Sequence, residues 1–446
     1  MSLNMRRILL VLALIAAGVL IVRSTRKARG PIERNRIFAA DLWSGQQPYS
    51  PHPELGYQRP VHAPYPPSYG VVMGWQLLLP TTAVRVIWSL LQIALLVVLF
   101  RHLARWWNSC IGTRGPPVAV ILASIMLASR YLLRDMAGGG ANLVFGCLVC
   151  LTCLRPGEKN GEDAHPWRGV LLGLVLAAKP TPLFFLPWLL LRGRYRTVAF
   201  SILTAALLHA SPALLLGLDG WREAYGRWLE GAWLFSTQTD SFAPAALGFP
   251  GFEYNQWMHQ SLRFMCSRFL GTVPDYAVID SPLFFSGAGL APSTVALVTR
   301  LLSAALTLGV FGWLWARRRE ESGWGEALGF CALVCLTNLI SPIVWKSYWV
   351  QAIPVFFVLL AIVASRLRQQ RQLAALLILY FLCCVALSGD IVGKHGKELL
   401  QSLYIVPAFG LALLLSCGQV LWKQPWLGDS DAGGLQVEAS NSTTTE

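Results

Sequence analysis

The stretch RGVLLGLVLAAKPTPLFFLPWLLLRGR, residues 168–194, decides how the whole chain is read. Its two apolar runs, 168–178 and 181–191, are separated by Lys179-Pro180. Each is shorter than the roughly 20 residues a helix needs to cross a bilayer. Pro180 and Pro182 lack an amide hydrogen and stop a helix. The backbone groups freed at this break must be satisfied inside protein or in a polar cavity. A lysine held there is either a ligand for an anion or a side chain reaching for the membrane surface. Arginines close the stretch on both sides, at Arg168 and at Arg192 and Arg194.

The surrounding composition agrees. Of 446 residues, 54% are hydrophobic and only 13% are charged, and the mean hydropathy is +0.50. Soluble domains carry about 25% charged residues, so this chain has too little polar surface to wrap a soluble core. An all-α polytopic membrane protein of about 12 transmembrane helices is expected, by the length rule for spanning helices. The segments fall near 8–22, 83–101, 117–133, 141–154, 168–178, 181–191, 197–217, 292–316, 325–341, 347–365, 372–388 and 400–422. The first reads as a retained signal anchor, because Met5-Arg6-Arg7 precedes it and no small-residue cleavage site follows. Residues 1–423 form one membrane domain, and 424–446, small and polar, form a disordered cytoplasmic tail. The net charge of +14 lies mostly in loops, where it reports topology and contact with anionic lipid rather than nucleic acid. Cys147, Cys150 and Cys153 have a metal-like spacing but no histidine or second cluster beside them, so they read as packing residues.

Short connections at 101–116, 155–168, 192–196, 316–324 and 366–371 each carry three Arg or Lys. The positive-inside rule puts all five in the cytoplasm, with both termini. The outer connections are then two long loops, 23–82 and 218–291, and the short turns 134–140, 179–180, 342–346 and 389–399. The first long loop is rich in proline and is expected to be irregular with one short amphipathic helix. The second carries WREAYGRWLEGAW (221–233), whose aromatics at helical spacing suit a helix lying in the interface. Arg23, Arg26, Lys27, Arg29, Arg34 and Arg36 open the first loop against the charge rule, as long loops are free to do.

Every unusual polar motif falls on that outer side. Lys179 has a counterpart in Lys346 of SPIVWK (341–346), where a helix ends at Pro342 and a cation follows. Trp345 and Lys346 read as site residues, Tyr348 and Trp349 as an interfacial aromatic belt. Arg134 and Asp135 precede Gly138-Gly139-Gly140, which permits close backbone approach. Asn142 beyond them either caps a helix or faces a substrate. Of the outer carboxylates, Glu33, Asp41 and Glu54 lie in the first loop, with Asp41 inside FAADLWSGQQPY.

Together these motifs resemble the GT-C superfamily of membrane glycosyltransferases, and within it glycosyltransferase family 87, the polyprenol-phosphate-mannose-dependent type. The pieces that match are Leu42, Gly45, Pro48 and Tyr49; Tyr65-Pro66-Pro67; Leu79-Pro80; Gly139-Gly140-Ala141-Asn142; Lys179 to Pro182; His259-Gln260-Ser261-Leu262; and Ser341-Pro342 with Trp345. The family's early acidic residue would fall near Pro31, so the base is either Glu33 or Asp41. Ser347 and Tyr348 stand where the family carries histidine, leaving that role lost or shared with His259 or His395.

The resemblance implies a GT-C-like bundle and an inverting transfer of a hexose, mannose first. The sugar moves from a polyprenyl-phosphate donor to a lipid or glycan acceptor at the outer face of the inner membrane. Lys179, Lys346 and Arg134 would hold the donor phosphate, and Tyr65, Asn142, Gln260 and Trp345 would contact sugar or acceptor. No metal or cofactor is expected, since protein cations suffice for a monophosphate donor. The competing class is a lipid or anion transporter or flippase, which also uses broken helices with embedded cations; against it, the halves show no internal repeat.

Overall fold

The computed structural model describes residues 30–57, 65–111, 115–158, 162–237, 257, 259–320, 322–365 and 370–423, together with Gly18, Val19, Val22 and Thr25. Most of the expected first segment 8–22, the tail 424–446 and the second outer loop over 238–256 lie outside these residues.

Apolar periodicity and breakers divide the chain into helices: α1 Pro31–Trp43, α2 Pro67–Met73, α3 Thr81–Ile111, α4 Val118–Gly138, α5 Asn142–Cys153, α6 Gly169–Ala178, α7 Phe185–Leu191, α8 Tyr195–Ala210, α9 Ala213–Thr237, α10 Leu262–Leu270, α11 Pro292–Ala316, α12 Gly323–Ile340, α13 Ile353–Ser365, α14 Arg371–Tyr380, α15 Gly389–Ser402 and α16 Ile405–Lys423. Four of them are long and apolar enough to cross a membrane, counting Lys346–Ser365 as one with α13, or up to seven if each bent pair is one span. The described chain is therefore mainly helical and membrane-like in composition. Several segments expected to cross separately are halves of bent pairs. The sharpest corner, 116°, joins α4 to α5, and Gly139 turns it with φ +71°.

Two connections expected on the outer side hold more helix than their sequences suggest. The first contains α1 and α2, with Pro31 and Pro67 at the helix starts, where a missing amide hydrogen costs nothing. The 389–399 turn is helical as α15, kinked at Gly393. WREAYGRWLEGAW is helical as expected, within α9, and stands at 84° to α8. Trp349 departs from the aromatic belt: it is fully buried, its ring where a Cβ on Gly410 would sit. Cys147, Cys150 and Cys153 are buried free thiols in the core, as packing requires.

Helices α5, α6 and α12 run between two polar ends. At one end the basic connections 155–168, 192–196 and 316–324 meet. Arg194 pairs with buried Glu326 at 2.7 Å, Arg155 pairs with Glu158 and Asp163 at 3.0 Å, and Arg192 donates to the Glu320 carbonyl at 2.8 Å. At the other end lie Asn142, Lys179 and Ser341. About 18 Å of helix separates the two ends along α5, at 1.5 Å per residue.

Candidate active site

The α4–α5 corner builds the first half of the site. Asp135 is buried at the end of α4 and reaches across the bend. It accepts the Leu143 amide hydrogen at 3.0 Å and the Asn142 side-chain amide at 2.8 Å, placing a carboxylate at the positive end of α5. Gly140 makes this possible, because a Cβ there would strike the Asp135 carboxylate. The freed Gly140 carbonyl takes hydrogen bonds from Trp88 at 3.0 Å and Gln92 at 2.7 Å. Asn142, the first residue of α5, links the corner to α6, its oxygen accepting from Lys179 Nζ at 3.2 Å.

Lys179 ends α6 at the Pro180 break, 8% exposed. Its ammonium lies 3.1 Å from the Tyr348 ring centroid, a cation–π contact strengthened by exclusion of water. Tyr348 is hydrogen-bonded to Tyr65, and Tyr65 stacks on Tyr69 with centroids 4.3 Å apart. Tyr69 in turn donates to Asn35 on α1 at 2.8 Å. This places Tyr65, Asn142 and Lys179 in one connected row, with Tyr348 as its centre rather than in a belt. A cavity of about 10 Å³ beside Lys179, lined also by Thr337, Asn338, Ser341 and Gln351, has room for one water and not for a sugar.

The second half is cationic. Lys346, buried just beyond the Ser341-Pro342 break, lies in the field of Arg130, Arg134 and Lys397. Arg130 and Arg134 are one turn apart on α4 and share a face, while Lys397 comes from α15. Arg130 donates to the Cys384 carbonyl at 3.0 Å, which fixes its reach. Arg134 bears on Lys346, whereas Lys179 lies in the Asp135 row. Arg130 and Lys397 were missed by motif reading. Helical spacing signals the first, Arg130 to Arg134, whereas nothing in the sequence places α15 beside α4.

Trp345 and Gln260 flank Lys346. His259 and Trp345 form an antiparallel bridge, with ring centroids 5.6 Å apart. The Gln260 amide hydrogen reaches the Val344 carbonyl at 2.6 Å, and its side chain donates to the Trp257 and Gln401 carbonyls. Gln260 is fully buried and straps the 257–262 segment to the Lys346 turn. His395 is exposed on α15.

The two candidate bases part company. Glu33 is ion-paired with Arg85 of α3, which donates through Nε at 3.1 Å and through Nη2. Asp41, on the buried face of α1, places Oδ2 2.8 Å from His52 Nε2, and His52 Nδ1 lies 2.9 Å from Glu54 Oε1. Exposure rises along this row, with side chains 8%, 16% and 62% accessible. Burial raises the Asp41 pKa above the usual carboxylate range, and the hydrogen bond and charge of His52 pull it part of the way back. Burial pushes His52 down, but its bonds to the two carboxylates outweigh this and leave it raised. The carboxylates sit on opposite ring nitrogens, so the three groups form a hydrogen-bonded row and do not converge on one ion.

A family model described as Glycosyltransferase family 87 matches residues 64–342. Among curated proteins, the chain is 24% identical to the polyprenol-phosphate-mannose-dependent alpha-(1-2)-phosphatidylinositol mannoside mannosyltransferase of Mycobacterium tuberculosis, over 69% of this chain and 64% of that protein. It is 26% identical to the protein of the same description from Mycolicibacterium smegmatis, over 56% of this chain and 48% of that protein. The alignments thus span less than two thirds of these relatives' lengths. No solved structure matches significantly. Since the matched region is more than half of the chain, and carries the Asn142, Lys179 and Gln260 motifs in order, the protein belongs to glycosyltransferase family 87.

Proposed function

We propose that this chain is an integral membrane glycosyltransferase that moves mannose from a polyprenyl-phosphate donor to a lipid or glycan acceptor, with inversion, at the outer face of the membrane. The family and the mannosyltransferase relatives support the reaction class and the donor. The observation that carries the reading is the buried Lys346 beyond the Ser341-Pro342 break, with Arg130 and Arg134 one turn apart on α4, and Lys397, bearing on it electrostatically. Like charges repel strongly away from water, and a phosphate is the ligand that relieves that repulsion. Lys346 and Arg134 would bind the donor phosphate and stabilise charge growing on it as it leaves. Lys179 would add its field from the neighbouring Asn142 row. Asp41 would accept the proton of the acceptor hydroxyl as that oxygen attacks the anomeric carbon. In that single displacement the new C–O bond forms as the bond to phosphate breaks, which inverts the carbon. Tyr65, Asn142 and Trp345 line the two halves where sugar or acceptor would lie, and Gln260 positions Trp345 and Lys346.

The relatives' printed names point to a phosphatidylinositol mannoside as the first acceptor to try. The test is transfer of labelled mannose from polyprenyl-phosphate-mannose by the protein in lipid. Wild type, Asp41→Asn and Glu33→Gln are compared with that acceptor and with membrane extract. Label moving to acceptor and lost in Asp41→Asn supports the reading. Movement of donor lipid between leaflets with no glycosidic bond formed overturns it in favour of a flippase.

A further inference from the structure

We propose that His52 is the charge-setting partner of the base, acting as an imidazolium that donates Nε2–H to Asp41 and Nδ1–H to Glu54 and so keeps Asp41 ionised. This rests on the reading of Asp41 as the base. The geometry supports it: at 2.8 and 2.9 Å each contact needs a proton between the heavy atoms, and an imidazolium supplies both. With both carboxylates ionised, both protons belong to the ring. Asp41 is buried on α1 and would otherwise shed its charge. Glu54 stands at the exposed end of the row, where its negative charge holds the imidazolium without itself being desolvated.

Neighbouring elements leave this assignment to the row itself. The charged groups that bear on Asp41 are His52 and Glu54, and those that bear on His52 are Asp41 and Glu54. On α3, Arg85 is engaged by Glu33. On and before α2, Tyr69 turns to Asn35 and Tyr65 to Tyr348. On α9, Tyr225 is bonded to His209 at 2.8 Å. The proton that Asp41 takes from the acceptor hydroxyl is released to water after product leaves, and the imidazolium stays charged throughout.

The experiment has two arms. In the first, transfer by wild type, His52→Asn and His52→Lys is followed across pH. Loss of the cation raises the Asp41 pKa, so the rising acid limb of kcat in His52→Asn moves to higher pH by about one to two units. At a pH on that limb kcat falls about tenfold or more, KM is little changed, and His52→Lys restores the limb toward its original place. The second arm needs no turnover: the protein, selectively labelled at its 7 histidines, is titrated by NMR in lipid nanodiscs. His52 is expected to titrate above the ordinary value of about 6.5 and to fall in both Asp41→Asn and Glu54→Gln. A His52 that titrates at or below the ordinary value and ignores Asp41→Asn overturns the proposal, as does an unmoved acid limb. Wild type without transfer to any acceptor, but with the expected titration, would sink the assigned reaction and leave the row standing.

Discussion

Asp41 and Glu33 are 8 residues apart on one helix, yet their neighbours give them different work. Glu33 has Arg85 as a fixed counter-ion, which makes it an anchor between α1 and α3. Replacing it by Gln is expected to cost about 1.5–3 kcal/mol, the range for a hydrogen bond to a charged group, seen as a lower unfolding temperature in detergent with transfer largely kept. Asp41→Asn is expected to leave stability near wild type and lower kcat by 100- to 10,000-fold, the usual range for losing a general base. Arg130→Ala, removing a cation that motif reading overlooked, is expected to lower kcat/KM by roughly 100-fold, by analogy with losing one donor to transition-state charge. An Arg130→Ala enzyme with wild-type kinetics would remove it from the phosphate site.

Among the helices, the α4–α5 corner is the most constrained. Asp135, Gly139, Gly140 and Asn142 act as one unit: a left-handed glycine turns the chain, a second makes room for the carboxylate, and the carboxylate caps the next helix. Gly140→Ala is expected to destabilise the protein by about 1–3 kcal/mol, as overpacking does, and to lower the yield of folded protein. It should also weaken donor binding, since Arg134 and Lys179 both depend on the corner. Asn142 was open between a cap and a substrate contact; it is the first residue of α5 rather than its cap, donating to Asp135 with one end of its amide and accepting from Lys179 with the other. The triple glycine advertised a close approach, but not that the approaching group belongs to the same turn.

Taken whole, the molecule sorts its charges between two ends of the bundle. Three of the five basic connections, 155–168, 192–196 and 316–324, converge at one end among the described residues, held by the buried Arg194–Glu326 pair. Removing one partner of such a pair leaves a charge stranded and costs about 3–5 kcal/mol, so Glu326→Gln is expected to cause a large loss of thermal stability without touching the site. Orientation is testable directly. His395→Cys should react with an impermeant maleimide on intact cells, and Glu162→Cys only after permeabilisation, both positions being exposed. The reverse pattern would invert the topology.

Composition and segment length alone determined that this is a helical membrane chain, because burial in lipid demands apolar stretches that no other class supplies. Proline, glycine and lysine marked where helices break, and Lys179, Lys346 and Asn142 were visible on that ground. Tertiary structure decided which breaks meet. His52 joins Asp41 from 11 positions further along the chain, Tyr348 comes under Lys179, and Lys397 bears on Lys346 from α15. Side-chain partnership depends on how helices bend and pack, and a 116° corner at three glycines cannot be read from hydropathy.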